Sequence, residues 1–329
     1  MTSPASAHPV LQVRDLRVAF RTRRGVVRAV DGVNFSLYPG EILGIVGESG
    51  CGKSTLCSSL VRLLPANAQI SGAVHFRGEN LVEKSDREMR AIRGRDITMI
   101  LQNPMTAMDP LFTVGNQFDE ILRHNADMPP KSRRERALEM MGLVHIPSPP
   151  ERLASYPHQM SGGMKQRILT AMATALKPGL LLADEPTTAL DVTIQEQILR
   201  LLAEIRDTLG TAIILVTHDL GIVRRLTDRV VIMYAGRAVE TGETEAIFTD
   251  PKHPYTRALL ASIPRIGHTG DRLTAIEGTI PDLTSLPPGC AFAPRCAASM
   301  PRCSADDPVE AEVGQGRTTR CWLHAGTAP

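Results

Sequence analysis

The sequence shows short apolar runs separated by longer stretches with helical periodicity. Apolar and polar positions alternate over residues 11–20 and again over residues 27–37, as in strands with one buried face, and Gly25 marks a turn between them. Near-continuous apolar runs, typical of strands buried on both faces, cover residues 41–46, 97–101, 180–183 and 212–216. Because helical stretches separate these runs, the pattern predicts an α/β fold.

Between residues 103 and 177 the strand patterns stop. Helical periods appear instead near residues 114–123, 131–143 and 161–176. This predicts a helical subdomain at about residues 103–177, inserted between two core strands. After residue 250 the chain becomes rich in proline and cysteine. We therefore expect one domain over residues 1–250 and a small Cys-rich C-terminal extension over residues 251–329.

Composition and charge exclude several classes of protein. The chain has 329 residues, with 37 Lys and Arg against 35 Asp and Glu, so its overall charge does not favour nucleic acid. Aromatic residues, which stack on bases, are also few. No apolar run approaches the roughly 18 residues that span a bilayer, and residues 1–9 lack the apolar centre of a signal peptide. We expect a cytoplasmic protein.

Residues 47–54, GESGCGKS, match the phosphate-loop pattern G-x-x-x-x-G-K-[ST] between a predicted strand and a helix predicted at about residues 53–64. In such loops the lysine reaches the β- and γ-phosphate oxygens and the following hydroxyl coordinates Mg²⁺. These roles fall to Lys53 and Ser54, with Thr55 near the α-phosphate. The backbone that surrounds the phosphates belongs to Gly47, Glu48, Ser49, Gly50, Cys51 and Gly52.

Polar residues follow three of the predicted buried strands, where ligands bind in α/β sheets. Asp184 is suited to Mg²⁺ through water and Glu185 to polarising the attacking water, although both could instead cap a helix before Pro186. Gln102 is placed to contact Mg²⁺ or that water. His218 follows residues 212–217; a lone histidine is usually structural, but this position favours a functional role.

A second glycine-rich segment, Ser161-Gly162-Gly163, heads a predicted helix. Exposed N–H groups and the positive end of a helix dipole suit phosphate there too. One nucleotide does not need two such cradles, so the sequence indicates an active site completed by a partner.

The order of these motifs strongly resembles the ATP-binding subunits of ABC transporters, over roughly residues 10–245. The resemblance implies a P-loop NTPase fold of the ABC type, an active Mg²⁺-dependent ATPase and a head-to-tail dimer. Each ATP would lie between one phosphate loop and the other subunit's Ser161, Gly162 and Gly163. The flanking Met160 and Met164 depart from the common Leu and Gln, but the central trio is intact.

The same resemblance implies further roles. Asp191 would lie in a loop that crosses the dimer interface, and His218 would contact the γ-phosphate within its own subunit. Phe20 occupies the position that stacks on adenine; the alternative is a core strand residue.

Residues 253–260, HPYTRALL, resemble the segment that marks the ATPases of dipeptide, oligopeptide and nickel importers. This implies peptide uptake with three kinds of partner: a homologous second ATPase, two permeases and an extracytoplasmic solute-binding protein. The helical insertion would grip the permeases at the cytoplasmic face of the membrane. Nickel or another small solute stays open as cargo. A soluble ABC ATPase acting on DNA or ribosomes, or a purely regulatory subunit, is disfavoured.

Four cysteines near the C-terminus, Cys290, Cys296, Cys303 and Cys321, have the spacing C-x5-C-x6-C-x17-C. A reducing cytoplasm disfavours disulfides, and the C-x2-C pairs usual for structural zinc are absent. Irregularly spaced thiolates are compatible with a [4Fe–4S] cluster, with zinc or no metal as alternatives. Residues 289–296 also resemble the tails of peptide-importer ATPases, some of which hold such a cluster.

Overall fold

The computed structural model describes residues 8–101, 107–188, 191–262, 276–314 and 316–324. The chain divides into two compact units. The first consists of Met1–Val10, Leu37–Ile42 and Glu83–Val216, and the second of Leu11–Ser36, Leu43–Val82 and Thr217–Pro329. The proposed boundary at residue 250 stays a prediction.

The first unit contains three neighbouring parallel strands: Ile97–Ile100, Leu180–Asp184 and Ala212–Val216. Leu180 lies opposite both Ile97 and Ala212, so the strand Leu180–Asp184 is central. Every residue of this strand and of Ala212–Val216 is buried. These strands confirm the predicted buried runs, because covering both sheet faces requires continuous apolar sequence.

The rest of the first unit is helical. Its helices include Asp86–Ile92, Val114–Asn125, Pro130–Leu143, Pro149–Leu153, Gly162–Thr174 and Val192–Leu209. A core that includes Phe118, Leu122, Met141 and Ile168 joins the helices that follow Asp86–Ile92. Within residues 107–177, all of them described, the structure contains helices and no strand, as the pattern predicted.

Two sheets build the second unit. One is antiparallel, with the order Gly25–Leu37, Leu11–Thr22, Ala68–Phe76 and Glu79–Asn80. In the other, Ile42–Val46 pairs in parallel with Arg229–Tyr234, which continues antiparallel to Arg237–Glu243. Two short strands near the C-terminus, Thr318–Thr319 and Ala311–Glu312, extend this sheet beyond Arg237–Glu243.

The helices of the second unit are short: Lys53–Leu60, Leu220–Leu226, Thr244–Thr249, Pro254–Ala261 and Pro301–Ala305. The first ends earlier than predicted because Arg62 adopts a left-handed conformation, with φ 53°. None of the helices in the described ranges combines the length and apolar character that crossing a lipid bilayer requires.

Candidate functional site

The phosphate loop lies between the buried strand Ile42–Val46 and the helix Lys53–Leu60. Backbone packs so closely here that side chains are excluded. A Cβ atom on Gly47 would lie 2.2 Å from the Met233 carbonyl oxygen, and one on Gly52 would lie 2.1 Å from the Ala29 carbonyl oxygen. Gly52 also has φ 103°, which favours glycine. The loop therefore needs glycine at both positions.

Lys53 places its ammonium group inside this loop. The residue is 5% exposed, and its Nζ donates hydrogen bonds to the carbonyl oxygens of Gly47 at 2.7 Å and Glu48 at 3.0 Å. The helix that it begins has no acidic residue in its first turn. A buried cation beside a helix N-terminus favours an anion such as phosphate.

The remaining predicted residues of the loop occupy the first helical turn. Ser54 is exposed and Thr55 is half-buried. They are the two residues after Lys53. Their predicted contacts with Mg²⁺ and the α-phosphate stay predictions.

Glu48 connects the loop to the C-terminal part of the chain. Its backbone N–H donates to the Tyr255 hydroxyl at 3.1 Å, and its carboxylate accepts two hydrogen bonds from the Arg295 guanidinium at 2.8 and 3.0 Å. Sequence reasoning did not predict these contacts. They join residues far apart in the chain, and neither the loop motif nor the segment around Tyr255 contains a signal for them.

Two further residues of the second unit were predicted to contact the nucleotide. Phe20 lies on the strand Leu11–Thr22 opposite Ala68 and is half-buried, so part of its ring is accessible for stacking. His218 is exposed and precedes Asp219, whose carboxylate caps the helix Leu220–Leu226 by accepting from the N–H of Gly221 at 2.8 Å. Their contacts with adenine and the γ-phosphate stay predictions.

In the first unit, Asp184 and Glu185 end the central strand. Asp184 lies opposite Val216 and is 6% exposed. Glu185 donates its N–H to the Val216 carbonyl oxygen at 3.0 Å, and its carboxylate accepts from the Thr188 hydroxyl at 2.8 Å. No helix begins at Pro186 among the described residues, so the helix-cap alternative for this pair is wrong.

Glu185 has a left-handed backbone, with φ 46°. This conformation costs a non-glycine residue roughly 1 kcal/mol or more and is concentrated at functional sites. The strain supports a functional role for its carboxylate.

Ser161, Gly162 and Gly163 lie where a helix begins, as predicted. Exposed Ser161 caps the helix Gly162–Thr174 by accepting from the Met164 N–H at 3.3 Å. A Cβ on Gly163 would lie 2.8 Å from Cγ2 of Ile194. The Ile194 N–H in turn donates to Asp191 Oδ1 at 2.9 Å. The structure thus brings Asp191 and the Ser-Gly-Gly segment together through Ile194.

The four C-terminal cysteines line one small cavity, together with His253 and Phe292. All four are free thiols, and burial raises the pKa of Cys290 to about 11. Burial also raises the pKa of Cys296 and Cys321. Within the described ranges, no group of three or more His, Cys, Asp or Glu side chains is arranged to hold a metal ion.

One predicted site residue, Gln102, lies outside the described residues, as do Ala189 and Leu190 beside Asp191. The predicted contact of Gln102 with Mg²⁺ or water therefore stays a prediction.

Two segments of the sequence match known families. Residues 30–188 match the ABC transporter family, and residues 239–303 match the C-terminal region of oligopeptide/dipeptide transporters. The second match covers Tyr255 and Arg295, the residues that contact Glu48.

Curated relatives are similar over almost the whole chain. The dipeptide transport ATP-binding protein DppD of Bacillus subtilis is 51% identical, over 95% of this chain and 94% of that protein. The oligopeptide transport ATP-binding protein OppD of the same bacterium is 46% identical, over 97% and 90%. OppD of Salmonella typhimurium is 44% identical, over 97% and 95%.

Solved structures share the fold. The ATP-binding cassette MJ0796, in a dimeric post-hydrolysis state with ADP and Pi, gives a TM-score of 0.63 at 27% identity, covering 71% of this chain and 98% of that one. CbiO1 from Clostridium perfringens gives 0.62 at 27% identity, covering 74% and 91%. The predicted α/β nucleotide-binding fold is therefore confirmed. The chain belongs to the family of ABC transporter ATP-binding proteins, and its enzymatic activity is ATP hydrolysis.

Proposed function

We propose that this chain couples ATP hydrolysis to uptake of di- and oligopeptides through partner permeases, at the cytoplasmic face of the membrane. The observation that carries the proposal is the presence, in one unit, of a complete phosphate loop and a C-terminal region of the oligopeptide/dipeptide transporter type. The named functions of the DppD and OppD relatives support the same cargo.

Several residues of this chain have distinct roles in the proposed binding and hydrolysis of ATP. Lys53 and the loop amides bind the phosphates, Phe20 stacks on adenine and His218 contacts the γ-phosphate. Glu185, oriented by Thr188, polarises the attacking water. A Mg²⁺ ion bound through Ser54, Asp184 and Gln102 would neutralise charge on the β- and γ-phosphate oxygens.

We also propose that Ser161, Gly162, Gly163 and Asp191 act on the nucleotide of a second, homologous ATPase subunit. The exposed Ser161 at the start of this helix supports this role, because the N–H groups and the dipole at a helix N-terminus favour phosphate. The dimeric state described for the MJ0796 cassette supports a two-subunit arrangement.

Two permeases and an extracytoplasmic solute-binding protein complete the proposed importer. Leu111 and Phe112, 79% and 51% exposed, provide an apolar contact for permease helices. A cleft in the same helical region is lined by Thr113, Asn116 and Arg133, among others. Exposed apolar residues beside a polar cleft are typical of protein contacts.

The four C-terminal cysteines are proposed to hold a [4Fe–4S] cluster. Four thiols around one small, largely apolar cavity fit the donor set. Binding would require the cysteine side chains to lie closer together than they do in the structure, where they are not arranged to hold a metal ion. Iron and sulfide analysis of anaerobically purified protein tests this. Iron lost on Cys290→Ser, but kept on Cys57→Ser, would support the cluster, whereas iron-free or zinc-containing wild type would overturn it.

Uptake by living cells tests the cargo. The native chain would be replaced by Glu185→Gln in its own cells, and the uptake of labelled dipeptide, tetrapeptide and nickel measured. We expect peptide uptake to fall to the background level while nickel uptake is unchanged. Loss of nickel uptake with normal peptide uptake would establish the alternative cargo, and normal uptake of all three would exclude an importer of these solutes.

A further inference from the structure

Every N–H group of the Arg295 guanidinium donates a hydrogen bond. Its Nη1 donates to Glu48 Oε2 and to the Tyr234 hydroxyl, at 2.8 and 3.2 Å. Its Nη2 donates to Glu48 Oε1 and the Ile276 carbonyl oxygen, at 3.0 and 3.1 Å. The Nε–H donates to the Glu277 carbonyl oxygen at 2.8 Å. These bonds use all five guanidinium N–H groups, so the side chain has a single orientation.

The pairing of Arg295 with Glu48 is bidentate, and its arginine side is shielded from water. The Arg295 side chain is 5% exposed and that of Glu48 is 28% exposed. Bidentate arginine–carboxylate pairs are both strong and directional. The carboxylate of the second residue of the phosphate loop is thus turned towards the C-terminal part of the chain and neutralised there.

Tyr255 holds the backbone of the same residue. Its hydroxyl accepts the Glu48 N–H at 3.1 Å, and the residue is fully buried. The Tyr255 ring packs against the rings of Tyr234 and Phe292, with centroids 4.7 and 5.3 Å apart. Glu48 is therefore fixed at its side chain and at its main chain by residues of the C-terminal part.

We propose that Arg295 and Tyr255 are positioning residues for ATP binding that act through Glu48. An unpaired carboxylate in the loop repels the phosphates and competes for Lys53, whose ammonium already lies against the Glu48 carbonyl oxygen. Arg295 removes this repulsion and Tyr255 sets the course of the loop backbone. The affinity of the loop for ATP is in this way controlled by the C-terminal region. The inference rests on ATP binding at residues 47–54.

A double-mutant cycle in the full-length chain tests the proposal. The four proteins are wild type, Arg295→Ala, Glu48→Gln and the double variant, and the Kd of MgATP is measured by equilibrium dialysis. We expect Arg295→Ala to weaken binding about tenfold, as an uncompensated negative charge near the phosphates would. In the Glu48→Gln background the same substitution has less than a twofold effect, because the repelling charge is gone.

Other variants separate positioning from folding. Arg295→Lys restores part of the affinity that Arg295→Ala loses, since it keeps the positive charge but not the two parallel N–H donors. Tyr255→Phe weakens binding about threefold, because it keeps the ring and removes the acceptor. Arg302→Ala, an exposed arginine of the same region, is the matched control with unchanged Kd. Thermal unfolding by circular dichroism confirms that each variant folds.

Two results overturn the proposal. In one, Arg295→Ala binds MgATP as wild type does. In the other, the arginine substitution weakens binding equally in both backgrounds, which would show that Arg295 only supports the fold. Failure of wild type to bind MgATP would instead refute ATP binding at the loop itself.

Discussion

The chain contains two glycine-rich segments at helix N-termini, and they use glycine for different reasons. In the phosphate loop, Gly47 and Gly52 lie against backbone carbonyl oxygens, where a Cβ would come within 2.2 and 2.1 Å. In the Ser-Gly-Gly segment, Gly163 lies against the side chain of Ile194. Backbone cannot move aside as a side chain can. The first segment is therefore the less tolerant of substitution.

The two segments also differ in charge. The phosphate loop encloses the Lys53 ammonium, and no side chain caps its helix. The Ser-Gly-Gly helix is capped by exposed Ser161. These differences fit the proposal that the loop binds ATP by itself, whereas the capped helix end adds to a site formed mainly by another subunit.

The largest expected effect separates binding from turnover. Glu185→Gln removes the group that we propose polarises water but leaves the phosphate loop unchanged. We expect ATP hydrolysis to fall about a thousandfold, within the range of a lost general base, with MgATP affinity kept and a stable ATP-bound dimer formed. Phosphate release and size-exclusion chromatography measure these outcomes. Hydrolysis at the wild-type rate would refute the role of Glu185.

The next prediction concerns the Ser-Gly-Gly helix. Ser161→Arg places a bulky side chain at the exposed helix end, and we expect hydrolysis to fall about a hundredfold, as when donors to a phosphate are lost. Binding of ATP to the isolated monomer should not change. Ser85→Arg is the matched control, because it removes the exposed serine cap of another helix in the same unit. If Ser161→Arg weakens ATP binding in the monomer, Ser161 acts within its own subunit.

Glycine substitutions test the comparison directly. Gly52→Ala forces a Cβ against the Ala29 carbonyl oxygen, so we expect ATP affinity of the monomer to fall at least tenfold. Gly163→Ala should leave that affinity unchanged and lower only hydrolysis, with recovery in Gly163→Ala/Ile194→Ala. The control Gly142→Ala adds a Cβ into open space within a helix. Equal losses of ATP affinity for Gly52→Ala and Gly163→Ala would contradict the distinction.

The smallest expected effect is a dependence of stability on pH. It should arise only in the second unit, which contains the phosphate loop. His253 caps the helix of Tyr255 by accepting the Tyr255 N–H at its Nδ1, and burial lowers its pKa to about 3. The Arg320 backbone favours its protonation, while His324 and Arg257 oppose it. Between pH 6.5 and about 3 the unfolded chain holds a proton here that the folded chain does not. The stabilisation that the neutral His253 side chain gives the folded chain is complete above pH 6.5 and is lost as the pH falls towards 3.

Linkage gives a loss of about 2 kcal/mol from this group between pH 7 and pH 5. His253→Asn keeps a capping acceptor but does not titrate, so the decrease in Tm over this range should be a few degrees smaller than in wild type. Calorimetry at both pH values measures it. The same decrease in both proteins would mean that His253 does not contribute.

Sequence pattern predicted several of the buried strands but not Arg229–Tyr234, although five of its six residues are buried. The run Ala212–Val216 became a strand with the predicted bounds. The strand Ala68–Phe76 was missed because Gly72 interrupts its pattern; that glycine is needed where a Cβ would lie 2.2 Å from the Asp15 carbonyl oxygen. The helix Asp86–Ile92 was missed although Ser85 and Glu88 form a capping box, a signal readable from sequence.

The candidate site was predictable where motifs are continuous in sequence. Lys53 and Ser161 were found because their neighbours define them. The support of Glu48 by Arg295 was not, since it depends on how residues far apart in the chain meet after folding. The orientation of Glu185 by Thr188 depends likewise on a turn that no residue pattern indicated.

The short strand Thr318–Thr319 has one further consequence. It pairs with Arg237–Glu243, opposite Glu240 and Thr241, and it is itself covered by Ala311–Glu312. An uncovered strand edge offers unpaired N–H and C=O groups to other chains and promotes aggregation. These four residues shield that edge. A chain shortened before Ala311 is therefore expected to self-associate more readily than the full chain, because these short strands protect it against edge-to-edge pairing.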